Sequence, residues 1–227
     1  MNEKLLIHFT SKYKYIKSII ESNSLRLSYC EEDFYMGKRK VSSSAHPMIC
    51  FSEVEIKHLS YKNISYGRYG IGFTIDWARQ NKINPVIYIN QNSIAANGLA
   101  SLLKARRNRQ DSKLPDKLRL PIMQLKCFTK NEQGYNSHLQ VENFNFKNES
   151  EWRFVPNKKD IGNGLISQNK SKYKANKDFY NNKLLPYPFK FNVEDIEVVY
   201  IEHETELNEL KILYPLIESK IKISNWR

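Results

Sequence analysis

The 227-residue chain has little sulfur, no long apolar run and no phosphate-binding fingerprint. Its three cysteines, Cys30, Cys50 and Cys127, form no CxxC pair, which argues against a disulfide scaffold or a zinc knuckle and fits a reducing cytoplasm. No stretch of eighteen apolar residues is present, so a transmembrane helix is excluded. The opening MNEKLLIHFT lacks the apolar run of a signal peptide. The glycines of YGRYGIGF (66–73) do not follow GxGxxG, and GxxxxGK[ST] is missing, so neither the dinucleotide fingerprint nor the phosphate-cradling loop applies. His46, His58, His138 and His203 show no ligand spacing, so no metal centre is expected.

Positive charge is what the chain has in excess. Lys plus Arg is 36 against 24 Asp plus Glu, a formal net charge of +12. Such a surface attracts polyanions: nucleic acid, nucleotides or an acidic protein. Lysine and asparagine are abundant throughout and alanine is scarce, so a general compositional bias would account for the charge equally well without any such partner. Aromatic residues make up 12%, enough to exclude a disordered chain, and the length fits one domain spanning 1–227.

Local patterns predict an α+β fold: short mixed or antiparallel sheets packed with peripheral helices. LLIHFT (5–10) reads as a strand and 11–23 as a helix with Tyr15, Ile19 and Ile20 at near-helical spacing and Ser11 as its cap. LRLSY (25–29) is extended, 31–45 reads as polar loop, and MICFS (48–52) is a strand. A short helix over 53–62 leads to a strand at 66–73 with one nearly bare, glycine-lined face. Thr74 caps a helical turn, VIYI (86–89) is a strand, and 92–110 is helical. Strands are predicted at 121–129 and over FNFK into ESEWRFVP, a long loop at 157–177, and a C-terminal strand and helix within 191–227.

Three local features carry chemistry. In an extended NESEWRFV (148–155), Glu149, Glu151 and Arg153 share one face, with the arginine placed to orient a carboxylate. An ordinary solvated strand face with ion pairs would look the same. His8 ends an apolar run, where an imidazole either donates and accepts at a ligand or is satisfied structurally. Tyr66 and Tyr69 flank glycines that admit a flat ligand close to the backbone, although a glycine-bent strand explains the pattern equally.

The order HFT, isoleucine-bearing helix, ICFSE, YGRYGIGFTIDW, NPVIYI and ESEWRF resembles the first component of the AbiG abortive-infection family, AbiGi. It is also similar to a broader set of bacterial proteins with CFSE and a late ExEWR. The resemblance spans about residues 6–155 and continues weakly through 191–201. Both sets look like relatives of the ADP-ribosyltransferase fold. That resemblance implies NAD as cofactor, held by His8, Thr10, Tyr66, Tyr69 and Arg153, with Glu151 catalytic and Glu149 completing the ExE pattern. Phe9 departs from the family's usual glycine, and the middle motif lacks the serine-threonine-serine run of many protein-modifying transferases. A carboxylate aimed at the ribose would stabilise the oxocarbenium-like charge that builds as nicotinamide leaves.

Two basic windows flank the ExE strand. Residues 99–120 include Lys104, Arg106, Arg107 and Arg109; residues 157–177 include Lys172 and Lys174. Together they predict a groove for DNA, RNA or tRNA, with Tyr135 or Tyr173 stacking on a base, unless both are solvated loops. Three functions follow: a mono-ADP-ribosyltransferase of phage defence, modifying nucleic acid or protein; an inactive relative acting as a binding or antitoxin-like partner in a two-gene system; or a basic nucleic-acid-binding domain.

Overall fold

The computed structural model describes residues 4–61, 66–107, 114–136 and 139–226. The first half begins with β1 (Lys4–Thr10), α1 (Tyr13–Ser22), β2 (Ser24–Leu25), β3 (Ser28–Met36) and β4 (Arg39–Glu55). Next come β5 (Tyr69–Thr74), α2 (Ile75–Gln80), β6 (Asn84–Pro85), β7 (Ile87–Ile89), α3 (Ile94–Arg107) and α4 (Asp116–Cys127). The second half holds β8 (Thr129–Asn131), β9 (Gln133–Asn136), β10 (Val141–Asn145), β11 (Glu151–Phe154), β12 (Gln168–Asn169), α5 (Lys170–Ala175) and α6 (Lys177–Asn182). It closes with β13 (Phe189–Lys190), β14 (Val198–Ile201), α7 (Glu204–Leu213) and β15 (Ile221–Ile223).

Among the described residues, nine strands form one sheet in the order β15-β14-β5-β1-β4-β11-β6, with β3 and β12 also pairing with β4. All its pairings are antiparallel except β14 with β15. The mixed α and β elements and short additional sheets agree with the predicted α+β class.

Side-chain alternation divides the sheet into two faces. One face carries Leu6, Phe51, Ile71, Phe73 and Trp152 and is covered by Ile16, Ile19 and Ile20 of α1, Trp77 of α2 and Leu210 of α7. The spacing of those three isoleucines is helical, so Ile16 faces the core, and Tyr15, grouped above with Ile19 and Ile20 by spacing, is exposed. Asn23 ends α1 in the left-handed conformation with its N–H on the carbonyls of Ile19 and Ile20. Ser11 does not cap the helix; Lys12 occupies that position without a side-chain bond. Thr74 does cap α2, accepting from Trp77 N at 3.0 Å.

The opposite face has an apolar cluster at each end. Leu5, Ile7, Val198, Tyr200 and Trp226 form one. Phe34, Val41, Ala96, Leu99 and Leu103 form the other, against α3. Gly70 and Gly72 do leave their strand bare on this face, but core side chains fill the space. A Cβ on Gly72 would lie 2.7 Å from Val198 Cγ1, and one on Gly70 2.8 Å from Ile7 Cγ2. The glycines therefore serve packing rather than ligand approach.

Three stretches differ from the sequence reading. Residues 31–45 are not loop: β3 and β4 form a hairpin turning near Gly37. The charged Glu31 and Asp33 disguise it, because their partners come from α5 and α6 far along the chain: Lys170 on Asp33 at 3.0 Å and Lys177 on Glu31 at 2.8 Å. Residues 121–127 are not strand but the end of α4, whose buried Ile122, Met123, Lys126 and Cys127 follow a helical spacing too short to distinguish in sequence. The predicted loop 157–177 likewise contains α5. No described helix is long and apolar enough to cross a membrane.

Gly72→Ala is expected to destabilise the protein by about 1–3 kcal/mol through overpacking against Val198. Chemical denaturation checks this, and Gly98→Ala, where nothing lies within 4 Å of the added methyl, serves as the neutral or stabilising comparison.

Candidate functional site

The register of the central strands decides which predicted residues meet. Ser52 of β4 is opposite both Ile7 of β1 and Glu151 of β11, so these three share a face. Phe51, one residue away, is opposite Trp152 and faces the main core. His8 follows Ile7, so it points to the Phe51 side, with ring centroids 5.8 Å apart. His8 and Glu151 therefore lie on opposite faces of the sheet, and the expected convergence of imidazole and carboxylate does not occur.

His8 is satisfied locally. Its Nδ1 donates to the Cys50 carbonyl at 2.9 Å, and burial lowers its pKa against that bond. Thr10, opposite Tyr69 in the β1–β5 register, follows on the same face. The Tyr69 hydroxyl donates to Glu206 Oε1 at 3.0 Å, and the residue is buried beside Tyr13. Burial and Glu206 raise its pKa. Tyr69 is thus part of the packing beneath α7 and does not present its ring as a stacking platform.

The other predicted residues do gather. Arg153 is fully buried and grips Glu151 bidentately, Nε to Oε1 at 2.7 Å and Nη2 to Oε2 at 3.0 Å. Its remaining donors reach Glu32 Oε1 at 2.5 Å and the Cys127 carbonyl at 2.6 Å. The prediction that Arg153 orients a carboxylate therefore agrees with the structure, and its burial keeps it from a pyrophosphate. Glu149 does not lie on the strand: it ends a 3-10 turn (Phe146–Glu149), and Ser150, at φ 45°, reverses the chain before β11. Lys130 of β8 restores the connection by bridging both carboxylates, 2.7 Å to Glu149 Oε2 and 3.1 Å to Glu151 Oε2. The Tyr66 hydroxyl donates to Glu149 Oε1 at 2.9 Å, and Asn136 Nδ2 approaches the same oxygen at 3.3 Å.

This cluster is a charge lattice built around Glu151. Burial pushes its carboxyl up, but the Arg153 guanidinium and the Lys130 ammonium outweigh burial and hold it at about 2. Burial would likewise lower Lys130, yet Glu151, Glu32 and Glu149 raise it. The Cys30 thiol and burial push the Cys50 thiol well up, so it is not a reactive thiolate. A carboxylate that stabilises a developing cation must offer its charge to the substrate. Here both oxygens of Glu151 are already bonded to Arg153 and Lys130 within 3.1 Å, although those cations also serve Glu32 and Glu149.

Sequence reasoning missed Lys130, Glu32 and Tyr88, whose hydroxyl accepts from Glu151 N at 2.9 Å. Lys130 stands beside a misassigned strand and Glu32 within the supposed loop, so neither carried a local signal. Among the described residues, no three His, Cys, Asp or Glu side chains gather as a metal site.

The basic windows divide. Lys104 is exposed on α3, Arg107 is exposed at its end and Arg106 is half-buried; Arg109 lies outside the described residues. Lys172 is exposed, but Lys174 pairs with Glu31 at 3.4 Å. Tyr173 is buried between Tyr29 and Tyr180, so it does not stack on a base, whereas Tyr135 is exposed.

Residues 23–202 match the family model described as "Putative abortive phage resistance protein AbiGi, antitoxin", and the chain belongs to that family. No curated protein and no solved structure matches the chain.

Glu151→Ala leaves Arg153 under-compensated in the interior and is expected to cost about 3–5 kcal/mol of stability. The depressed carboxyl also gives the pH dependence its sign. Stability from Glu151 is present above its unfolded value of 4.5 and is lost as pH falls towards about 2. Thermal melts across that range test this, and the acid-induced loss should shrink in Glu151→Ala.

Proposed function

We propose that this chain is the protein-binding, antitoxin-type component of an abortive-infection system and acts by contact with its cognate second component. The observation that carries this reading is the placement of Glu151: locked between Arg153 and Lys130, and separated from His8 by the sheet. Nothing in the reading requires NAD. Membership of a family described as antitoxin supports the same direction.

A binding protein needs surface whose burial releases water, and one short stretch offers it. Ile212 at the end of α7 and Leu216 in the following 3-10 turn are each 80% exposed, with Leu213 about half exposed beside them. Burying such side chains against a partner stabilises a complex by roughly 1.5–3 kcal/mol each.

Co-expression of the chain with the second protein of its system is expected to relieve the growth arrest caused by that protein alone, and the two should co-elute. The Ile212→Asp, Leu216→Asp double variant should retain its melting temperature and weaken the complex at least about tenfold. Release of nicotinamide from NAD by the purified chain, abolished by Glu151→Gln, would overturn the proposal in favour of a transferase.

A further inference from the structure

A second site lies along the β3–β4 hairpin, where Ser44 stands opposite Glu32. The last turn of α3 and the segment 167–169 close over β4 and leave a cleft of about 490 Å³. Its floor is Ser42, Ser43 and Ser44, and Arg106, Arg107 and Lys40 supply the charge. Gln168 and Asn169 add side-chain amides, and no described carboxylate lines it. Of the two basic windows of the sequence, the first supplies Arg106 and Arg107 to the cleft, whereas the second supplies only the uncharged Ser167, Gln168 and Asn169.

The cationic groups are held in place before any ligand arrives. Arg107 Nη2 donates to the Val41 carbonyl at 2.6 Å. Arg106 Nε donates to the Arg119 carbonyl at 3.1 Å, and Arg119 returns a bond to the Arg106 carbonyl. Lys40 is steadied by Asp33 at 3.3 Å. Fixing guanidiniums in advance lowers the entropic cost of recognising an anion.

The serine floor is ordered from beneath. His46, fully buried, donates from Nδ1 to the Ile166 carbonyl at 3.1 Å, so Nε2 accepts from Ser44 at 3.0 Å. Ser44 in turn lies 3.2 Å from Ser42. Burial and the Lys126 ammonium hold His46 down at about 3, which makes it a poor base, so the relay positions hydroxyls and does not activate a nucleophile. Behind the cleft, Lys126 is fully buried with no hydrogen-bond partner at Nζ, one turn beyond the lining residue Met123 on α4. Lys126 does not itself line the cleft, and burial lowers its pKa, so the groups that would hold an anion are those of the lining.

We propose that this cleft binds a phosphorylated small ligand of nucleotide size, its phosphate held by Arg106, Arg107, Lys40 and Ser42. The volume falls in the roughly 300–1,000 Å³ range of small-molecule sites. A nucleic-acid backbone is the less suitable occupant, because it needs an extended stripe of charge. The neighbouring Lys170, Lys174 and Lys177 are instead taken up by Glu31 and Asp33. Asp33 also partly offsets Lys40, so Arg106 and Arg107 carry most of the cleft's charge and Lys40 is the weaker contact.

Calorimetric titration of the full chain with AMP, ATP, inorganic phosphate and a single-stranded oligouridylate tests the proposal. AMP or ATP is expected to bind, with inorganic phosphate weaker, and Arg107→Gln to weaken binding at least about tenfold. If Arg107→Gln is not folded, Lys40→Gln, on a half-exposed side chain, should weaken binding about threefold or more. No binding of either nucleotide at about 1 mM overturns the site, as does binding of the oligouridylate alone or nucleotide binding unchanged by both variants. The Ile212→Asp, Leu216→Asp variant should bind nucleotide normally, which separates failure of this site from failure of the protein-binding reading.

Discussion

The Glu151–Arg153 pair is the constraint on which the centre of the molecule depends. A guanidinium with no exposed surface can remain inside a protein only if every direction it faces supplies an acceptor. Arg153 obtains Glu151 from its own strand, Glu32 from β3 and the carbonyl of Cys127 from the end of α4. One side chain therefore ties three distant stretches of sequence together. Glu151 then needs a second cation, and Lys130 provides it while reaching Glu149. Each charge in the lattice makes the next one necessary.

This explains why the sheet's second face is divided. Apolar side chains pack at either end, against Trp226 on one side and against α3 on the other. Between them lies a polar band containing Ser52, Glu151, Arg153 and Glu32. The first face forms the main core under α1, α2 and α7, with Glu53 at its margin accepting from Trp152 Nε1 at 3.1 Å. His8, Thr10 and Tyr69 belong to that first face, so strand register alone separates them from Glu151.

The sequence was legible where a single local period sufficed. The isoleucines of α1, the Thr74 cap, the strand at 196–201 and the bare face of Gly70 and Gly72 all depend on neighbours a few residues away. The carboxylate–arginine alternation of 151 and 153 was visible for the same reason. What remained hidden depended on distant partners. Glu31 and Asp33 make β3 look like loop until the lysines of α5 and α6 neutralise them. A one-residue step between Ile7 and His8 decides which side of the sheet an imidazole occupies, and no motif records that step. The resemblance to AbiGi identified the family, while the transferase-like assignment of His8 and Glu151 to one pocket did not survive their registers.

Strand β4 runs for 17 residues and borders all three apolar clusters as well as the charged band. It pairs with β1, β11, β3 and β12 along its length. No single layer can loosen without disturbing the strand that the others share. Its central amides should therefore exchange with solvent deuterium only when the whole domain opens, so local fluctuations are confined to the periphery.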